Sequence, residues 1–211
     1  MNEEIASKIK QWDNYYNVYV PTFLGTCMYA AHRKVLSRVM STIPRETSII
    51  DIGCGRGSTL SSFREWGFKN SVGIDVSESG IKTCQSIGFV LNKDVFIMDG
   101  THTDYPGKSF EIVFSEGTLE HYEDFTPFVK EWCRIAKDKI IIVQPNHFSL
   151  YSKIIQFGWK IFRKNSGGVK ELTYRLEDFY NVFAKYDFKL ESVNFTTFHE
   201  NAVIVFKRCN N

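Results

Sequence analysis

The chain has few of the features that mark secreted or membrane proteins. Its five cysteines are far apart and form no Cys-x-x-Cys pair, which favours free thiols in a reducing compartment over a disulfide framework. No apolar run approaches the roughly 20 residues that a membrane-spanning helix needs. The charged segment "MNEEIASKIKQW" lacks the apolar stretch of a signal peptide. We therefore expect no transmembrane segment and a cytoplasmic location.

The chain also lacks an excess of charge of either sign. It has 26 basic and 24 acidic residues in 211, with a formal net charge of +2. Proteins dedicated to nucleic-acid binding usually show a clear basic excess, so we expect no nucleic-acid partner. The length and the hydrophobic content of 43% suit one domain, 1–211, with a core that needs no disulfides.

Glycine and proline are scarce at the start, where 3–43 contain only Gly25 and Pro21. We predict two helices there, split near "VPTFLG". From Thr47 onward, short β-branched runs alternate with segments of helical spacing, which predicts βαβ units. After a helix at "LEDFYNVFAKYDF", the runs "KLESVNFTTF" and "NAVIVFKR" predict an antiparallel hairpin. The expected fold is α/β: a Rossmann-like, doubly wound, seven-stranded and mostly parallel sheet with an antiparallel edge hairpin and helices on both faces.

The stretch "IIDIGCGRGSTL" places glycines at alternate positions, 53, 55 and 57, between the first strand and a helix. Glycine is costly to order, so three of them suggest that something approaches this backbone closely. Ligands of open parallel sheets bind beyond the carboxyl ends of the strands. A dinucleotide loop of the form G-x-G-x-x-G would need glycine at position 58, where this chain has Ser58. A dehydrogenase is therefore disfavoured.

The motif "DIGCGRG" resembles the first motif of class I S-adenosylmethionine-dependent methyltransferases. The ends of the later strands also resemble this family. The resemblance covers about 47–146. The second strand ends at Asp75, 22 residues beyond Gly53, and the third ends in "FIMDGT" with Asp99. The segment "EIVFSEGTLEH" resembles the family's segment after its fourth strand. The resemblance implies that S-adenosylmethionine is the methyl donor and S-adenosylhomocysteine the product.

The resemblance also implies roles for individual residues. The carboxylate of Asp75 would accept the ribose hydroxyls, and that of Asp99 would accept the adenine amino group. Met98 and Ile97 would lie against the adenine ring, and the backbone near Ser115 would face the amino group of the cofactor. The complete expected cofactor-binding set is Asp51, Gly53, Cys54, Gly55, Gly57, Asp75, Val76, Met98, Asp99, Gly100, Ser115 and Glu116.

Each of these residues also has a structural interpretation that the sequence leaves open. Asp51 could cap the loop and reach the cofactor only through water. Asp75, with Ser77, could cap the next helix, and Asp99 could be a turn residue before Gly100. Gly57 could serve close packing between helix and strand.

The segments after the fourth and fifth strands, "SEGTLEHYED" and "QPNHFS", lie on the side that faces the methyl acceptor in this family. Methyl transfer needs an aligned nucleophile, and a general base helps when the nucleophile is a hydroxyl or an ammonium. His121 is our preferred base and His147 the second, with Glu120 and Asn146 as contacts of the acceptor. If the first segment is helical, Glu116 and Glu120 share one face.

A divalent metal is the alternative for the same segment. Some relatives hold a cation with an E-x-x-E-H run and a further histidine. Here the position three before Glu120 is Gly117, so the run is broken. We therefore predict no metal, and His147 stays open as an extra ligand.

Two aromatic segments flank the expected cofactor-binding core, 46–146. The first, in "WDNYYNVYVPTF", places Trp12, Tyr15, Tyr16 and Tyr19 on one helical stripe. Such a stripe packs on the domain, and the resemblance adds that 1–45 could form a lid. Tyr15 or Tyr16 would then contact the cofactor or the acceptor.

The second aromatic segment, 147–175, is long for a βα connection and mixes aromatic with basic residues. Insertions at this place commonly form the acceptor pocket, and we expect Tyr151 and Trp159 to contact an aromatic or anionic small molecule. A basic helix lying on an anionic membrane and a plain added helix remain alternatives. The last part, 176–211, holds the C-terminal helix and the hairpin.

These features predict a methyltransferase acting on a small molecule, at oxygen first and nitrogen next. The preference for oxygen rests on the histidine bases and on the absence of a D/N-P-P-Y/F/W run, since "SEGT" stands after the fourth strand. RNA or protein methylation is one rival, and it would need a basic groove. A non-catalytic partner subunit with this fold is another, although the intact glycines and both strand-end acids disfavour it.

Overall fold

The computed structural model describes residues 3–18, 23–149, 171–196 and 199–209. Within those ranges one sheet has seven strands in the spatial order β3-β2-β1-β4-β5-β7-β6. The first five pair in parallel, and β7 is antiparallel to both β5 and β6. The strands are β1 (Ile49–Ile52), β2 (Ser71–Asp75), β3 (Val95–Ile97), β4 (Phe110–Glu116), β5 (Ala136–Pro145), β6 (Phe188–Phe195) and β7 (Asn201–Arg208). The predicted fold class is confirmed.

Helices cover both faces of this sheet. One face packs against α2, α3 and α4, where Met40, Phe63 and Cys84 are fully buried. The other packs against α5 and α6, where Trp132 and Phe183 are fully buried. The helices are α1 (Glu3–Val18), α2 (Phe23–Ser41), α3 (Ser58–Glu65), α4 (Glu78–Ser86), α5 (Thr126–Ile135) and α6 (Leu176–Ala184), with a 3-10 turn at Leu119–His121.

The chain reverses its winding direction between β1 and β4, which are neighbours in the sheet. In an open parallel sheet, this switch point opens a crevice beyond the carboxyl ends of the strands. The loop after β1 turns there through Gly53, Gly55 and Gly57, with φ of 78°, 50° and 77°. Left-handed φ values of this kind favour glycine. The loop that the sequence singled out therefore lies at the switch point.

The segment after β4 is not α-helical, so the condition under which Glu116 and Glu120 would share a face is not met. Glu116 is the last residue of β4 and pairs with Val143 of β5. Gly117, the first residue after the strand, has a φ of 66°, and only a short 3-10 turn comes after it. Glu116 and Glu120 therefore do not share a helical face. Of the expected acceptor insertion, 150–170 lies outside the described residues, and with it Tyr151 and Trp159.

Gly57 and Gly88 offer a matched test of the loop. Both have left-handed φ, but a Cβ on Gly57 would lie 2.9 Å from the Cys84 sulfur, whereas one on Gly88 meets nothing within 4 Å. We expect Gly88→Ala to lower the free energy of unfolding by about 1 kcal/mol, the backbone cost alone. Gly57→Ala should cost about 1–3 kcal/mol more, because it adds a steric clash in a packed core. Urea unfolding measures both, and equal losses would contradict the packing role of Gly57.

Candidate active site

Two adjoining cavities lie at the carboxyl ends of the parallel strands. The walls of the first, here called the inner cavity, are Trp12, Tyr16, Ile52, Gly53, Asp75, Val76, Met98, Asp99, Gly100, Gly117, Thr118, Tyr122 and Phe128. The walls of the second, the outer cavity, are Trp12, Tyr15, Tyr16, Tyr29, Asp51, Gly53, Cys54, Gly55, Arg56, Ser58, Thr59, Glu116, Gly117, Glu120, His121 and Glu171. Most of the residues predicted from the sequence therefore meet in one place.

The glycine loop contributes to the walls of both cavities and leaves no room for side chains at its contacts. A Cβ on Gly53 would fall on the Thr118 hydroxyl, and one on Gly55 would lie 2.5 Å from the Tyr16 hydroxyl oxygen. Gly57 lines neither cavity among the described residues, and its surroundings favour the packing role. The sulfur of Cys54 points towards β2, where it would meet a Cβ on Gly73.

Asp75 ties the glycine loop to the end of β2. Its two carboxylate oxygens accept the backbone N–H groups of Gly55 and Ser77, each at 2.8 Å. Ser77 itself caps α4 by accepting from Gly80 N. Burial raises the pKa of Asp75 to about 6, although the two backbone bonds oppose the rise. Each carboxylate oxygen can accept a second hydrogen bond, so Asp75 can still receive a ligand in the inner cavity.

Asp99 both forms a turn and lines a cavity, the two roles that the sequence left open for it. Its Oδ1 accepts from the backbone N–H and the hydroxyl of Thr101, at 2.8 and 2.7 Å, and so forms a turn. It also lines the inner cavity beside Met98. Ile97, by contrast, is 51% exposed and does not line this cavity. The contact of Ile97 with the adenine ring stays a prediction.

Ser115 lies inside the sheet rather than in either of the two cavities described above. It is fully buried, and its hydroxyl donates to the carbonyl oxygen of Ile52 at 2.8 Å. The backbone that reaches the cavities comes two residues later, at Gly117, which lines both. Ser115 therefore joins β4 to β1 beneath the site.

Glu116 is held by a partner that sequence reasoning missed. The buried His32 of α2 lies 3.0 Å from Glu116 Oε1 through its Nδ1, and the Thr59 hydroxyl donates to Oε2 at 2.6 Å. Burial opposes the charged forms, but these contacts outweigh it. They hold the pKa of Glu116 below and that of His32 above their ordinary values. Nothing in the sequence around His32 indicates this pairing.

Glu120 is the unusual acid of the outer cavity. It is 3% exposed, and within the described residues its Oε2 has no hydrogen-bond partner. Burial, with the charges of Glu171 and Glu116, raises the pKa of Glu120 to about 8. His121 follows it, with its Nε2 4.0 Å from Glu120 Oε1 and its ring edge-on to Trp12 at 4.8 Å.

The other two expected acceptor residues lie beside the outer cavity and do not line it. His147 Nε2 is 3.8 Å from Glu171 Oε2. Asn146 accepts the backbone N–H of Phe148 through Oδ1 at 3.3 Å and so stabilises the turn after β5. Of the two histidines proposed as bases, only His121 therefore lines the cavity.

Helix α1 crosses the site and is attached on both sides of it. Asp13 accepts from the hydroxyl of Ser77 at 2.6 Å and from Ser79 N at 3.1 Å, at the start of α4. Arg56 of the glycine loop donates to the carbonyl oxygen of Tyr16. These contacts hold Trp12, Tyr15 and Tyr16 over the cavities. Tyr19 lies outside the described residues.

The part of the chain that the structure describes contains no group of three or more histidine, cysteine, aspartate or glutamate side chains that could hold a metal ion. None of its helices combines the length and the apolar character needed to cross a bilayer.

Residues 50–143 match the model of a family described as "Methyltransferase domain". This region therefore resembles methyltransferase domains in sequence. Its fold is similar to magnesium protoporphyrin IX methyltransferase from Synechocystis PCC 6803 with bound SAH. The TM-score is 0.72 at 16% identity, and the likeness covers 99% of this chain and all of that one.

Two curated relatives of the methyltransferase domain are named for small molecules. Ajmaline N-methyltransferase from Rauvolfia serpentina is 24% identical over 157 residues, which are 64% of this chain and 53% of that protein. A 2-methyl-6-phytyl-1,4-hydroquinone methyltransferase from Synechocystis is 29% identical over 106 residues, which are 49% and 33%. The chain thus spans about half or less of the length of these relatives.

The His32–Glu116 pair predicts a pH-dependent stability. Because the pairing raises the pKa of His32, its stabilisation is complete below the ordinary histidine pKa and is lost as pH rises through the higher folded value. We expect the difference in free energy of unfolding between wild type and His32→Asn, a gap measured by urea unfolding, to shrink as pH rises from 6 to 9. His102→Asn, at an exposed position, is the control. A gap that does not change with pH would contradict the charged pairing.

Proposed function

We propose that this chain transfers a methyl group from S-adenosylmethionine to a small-molecule acceptor and releases S-adenosylhomocysteine. One observation carries the proposal. Within the region that matches the methyltransferase model, Gly53, Asp75 and Asp99 line a single cavity at the ends of neighbouring strands. Ligands of this architecture bind at that corner. The small-molecule names of the relatives support the acceptor class.

In this proposal the inner cavity receives the nucleoside part of the donor. Asp75 accepts the ribose hydroxyls, Asp99 accepts the adenine amino group, and Met98 packs against the ring. Gly53 lets the backbone approach the methionine part, and Glu116 lies on the side of its amino group. When bound, the donor supplies an electrophilic methyl carbon on a sulfonium. The Tyr16 hydroxyl lies against Gly55, so Tyr16 must rotate before a ligand can approach that residue.

The acceptor enters the outer cavity in this proposal. Its proton leaves through the Glu120–His121 pair, whose Oε1 and Nε2 atoms are 4.0 Å apart. Tyr15 contacts the acceptor from α1. Tyr151 and Trp159 remain predictions, because they lie outside the described residues. The sequence favoured oxygen as the methylated atom, whereas the carboxyl groups of this cavity favour nitrogen.

The rival acceptors receive less support from the same cavity. Its described wall carries the acids Asp51, Glu116, Glu120 and Glu171 against one arginine, Arg56. A phosphate backbone needs the opposite balance of charge, so RNA is disfavoured. A protein acceptor and a non-catalytic partner role are left to experiment. The described cysteines are free thiols, which suits the proposed cytoplasmic location.

Titration calorimetry with S-adenosylhomocysteine tests the cofactor site. We expect saturable binding to the wild type, and Asp75→Asn should weaken it about 10- to 100-fold, because charge-assisted hydrogen bonds to the ribose are lost. Asn at this position can still accept the Gly55 N–H. Glu78→Gln is the matched control, since Glu78 is exposed on the outside of α4. No heat with the wild type would favour the non-catalytic partner.

A radiolabelled methyl-transfer screen tests the acceptor class. The wild type and Asp75→Asn are each incubated with labelled donor and with small-molecule, tRNA and protein fractions. We expect label in the small-molecule fraction, reduced at subsaturating donor in the variant. Label that appears only in tRNA or in protein would refute the small-molecule proposal while leaving the methyltransferase activity intact.

A further inference from the structure

One acidic side chain of the outer cavity has a carboxyl oxygen whose hydrogen-bonding capacity is not satisfied within the described residues. Glu120 is 3% exposed, and no hydrogen bond to its Oε2 is present within the described residues. Buried polar atoms in folded proteins are almost always hydrogen-bonded, so an orphaned carboxyl oxygen in a cavity wall indicates a ligand. The nearest polar side chain is Gln144, also 3% exposed, which lies close enough to lower the pKa of Glu120 through a side-chain hydrogen bond but does not reach Oε2 in good hydrogen-bond geometry.

The groups around Glu120 divide into two sets. Asp51 and Glu116 lie on the side of the glycine loop, and Glu116 is already satisfied by His32 and Thr59. Glu171, at the mouth of the cavity, lies on the far side with His121 and is about half exposed. The only guanidinium of the described wall, Arg56, is attached to the loop side through the Tyr16 carbonyl. The far side therefore presents the two carboxyl groups of Glu120 and Glu171 with the ring of His121, and His147 lies just outside the wall with its Nε2 3.8 Å from Glu171 Oε2.

Aromatic rings from α1 complete this far side. Trp12 and Tyr15 lie edge to face with centroids 5.8 Å apart, and Trp12 meets the His121 ring at 4.8 Å. The faces of tryptophan and tyrosine attract cations, and the attraction is larger in a desolvated site. Carboxylates combined with aromatic rings suit a cationic ligand and disfavour an anionic one.

We infer that the methyl acceptor is an amine, which enters the outer cavity as an ammonium held by Glu120 and Glu171 against Trp12 and Tyr15, and that Glu120 removes its proton. This inference rests on the proposed function. It differs from the expectation of an anionic acceptor and of oxygen as the methylated atom. His121 then stands beside the base and orients Trp12.

The reaction balances with the groups present. The Glu120 carboxylate takes one proton from the ammonium, which leaves a lone pair on the nitrogen. That lone pair attacks the methyl carbon of S-adenosylmethionine, the N–C bond forms, and the C–S bond breaks with its electron pair going to sulfur. The products are the methylated ammonium and S-adenosylhomocysteine, and the proton on Glu120 passes to solvent. A base whose pKa is about 8 suits an ammonium near neutral pH, because efficient proton transfer needs a pKa close to the working pH.

Matched pairs of probes separate an amine site from an oxygen site. Phenethylamine, 3-phenylpropylamine and benzylamine are each compared with the corresponding alcohol, by calorimetry on protein saturated with S-adenosylhomocysteine. We expect at least one amine to bind about tenfold or more tightly than its alcohol. Glu120→Gln should abolish that preference, whereas Glu123→Gln, an exposed position three residues later, should keep it. No amine preference, including no binding of any probe, would overturn the inference.

The pH dependence gives a second readout. The other titratable groups of the same cavity are Asp51, Cys54, Arg56, Glu116, His121, Glu171, Tyr15, Tyr16 and Tyr29, and His147 faces Glu171 from outside it. Since Glu120 must be ionised to hold an ammonium, amine affinity should rise from pH 6 towards pH 8, by up to about tenfold per pH unit. Glu171→Gln removes a charge that raises the pKa of Glu120, so it should shift this rise to lower pH. Because Glu171 is exposed, its substitution should not disturb folding. The Glu171→Gln variant therefore provides the test if Glu120→Gln does not fold.

Two outcomes keep this inference distinct from the proposed function. If S-adenosylhomocysteine does not bind the wild type, the methyltransferase proposal itself fails. If it binds the wild type but Glu120→Gln lowers its affinity more than about tenfold, Glu120 belongs to the donor site and the amine inference is wrong. Transfer of label to the alcohols and not to the amines would also refute it.

Discussion

The hydrogen bond from the Gly55 backbone N–H to the Asp75 carboxylate is the contact on which the rest of the site depends. It joins the loop after β1 to the end of β2 at 2.8 Å. The loop can make this approach only because its glycines accept left-handed φ values and bring no side chains. Gly53 lines both cavities, so the bond that orders the loop also positions a wall that the two cavities have in common.

The site is completed by elements far apart in the sequence. Helix α1 closes the cavities with aromatic rings, and α2 supplies the histidine that pairs with Glu116. The short segment that ends in α6 contributes Glu171. Each brings either an apolar surface or a charge to an edge that the sheet alone would leave open. This arrangement lets one fold place the two strand-end acids Asp75 and Asp99 in the inner cavity and a separate set of acids in the outer one, because different connections cover the two sides of the loop.

The sequence predicted the parts of the site that follow strands. Apolar runs of β-branched residues locate β1 to β5, and the residue after each run must lie at the carboxyl edge of a parallel sheet. The glycine loop was found in this way, and the resemblance to the methyltransferase family pointed to Asp75 and Asp99 at the ends of the next two strands. The side chains of Ile97 and Ser115 line neither cavity, because an apolar run predicts the strand but not the face to which each side chain points.

The sequence by itself determined the doubly wound sheet, the glycine loop and the strand-end acids, since local periodicity and spacing specify them. Only the tertiary structure decided which groups meet across the site. In the sequence His32 is indistinguishable from an ordinary helical histidine, and it pairs with Glu116 only because α2 packs beside β4. In the sequence Glu120 is one acid among several, and only burial beside Glu116 and Glu171 raises its pKa to about 8. Desolvation and charge pairing depend on neighbours from distant parts of the chain, and no local pattern encodes those neighbours.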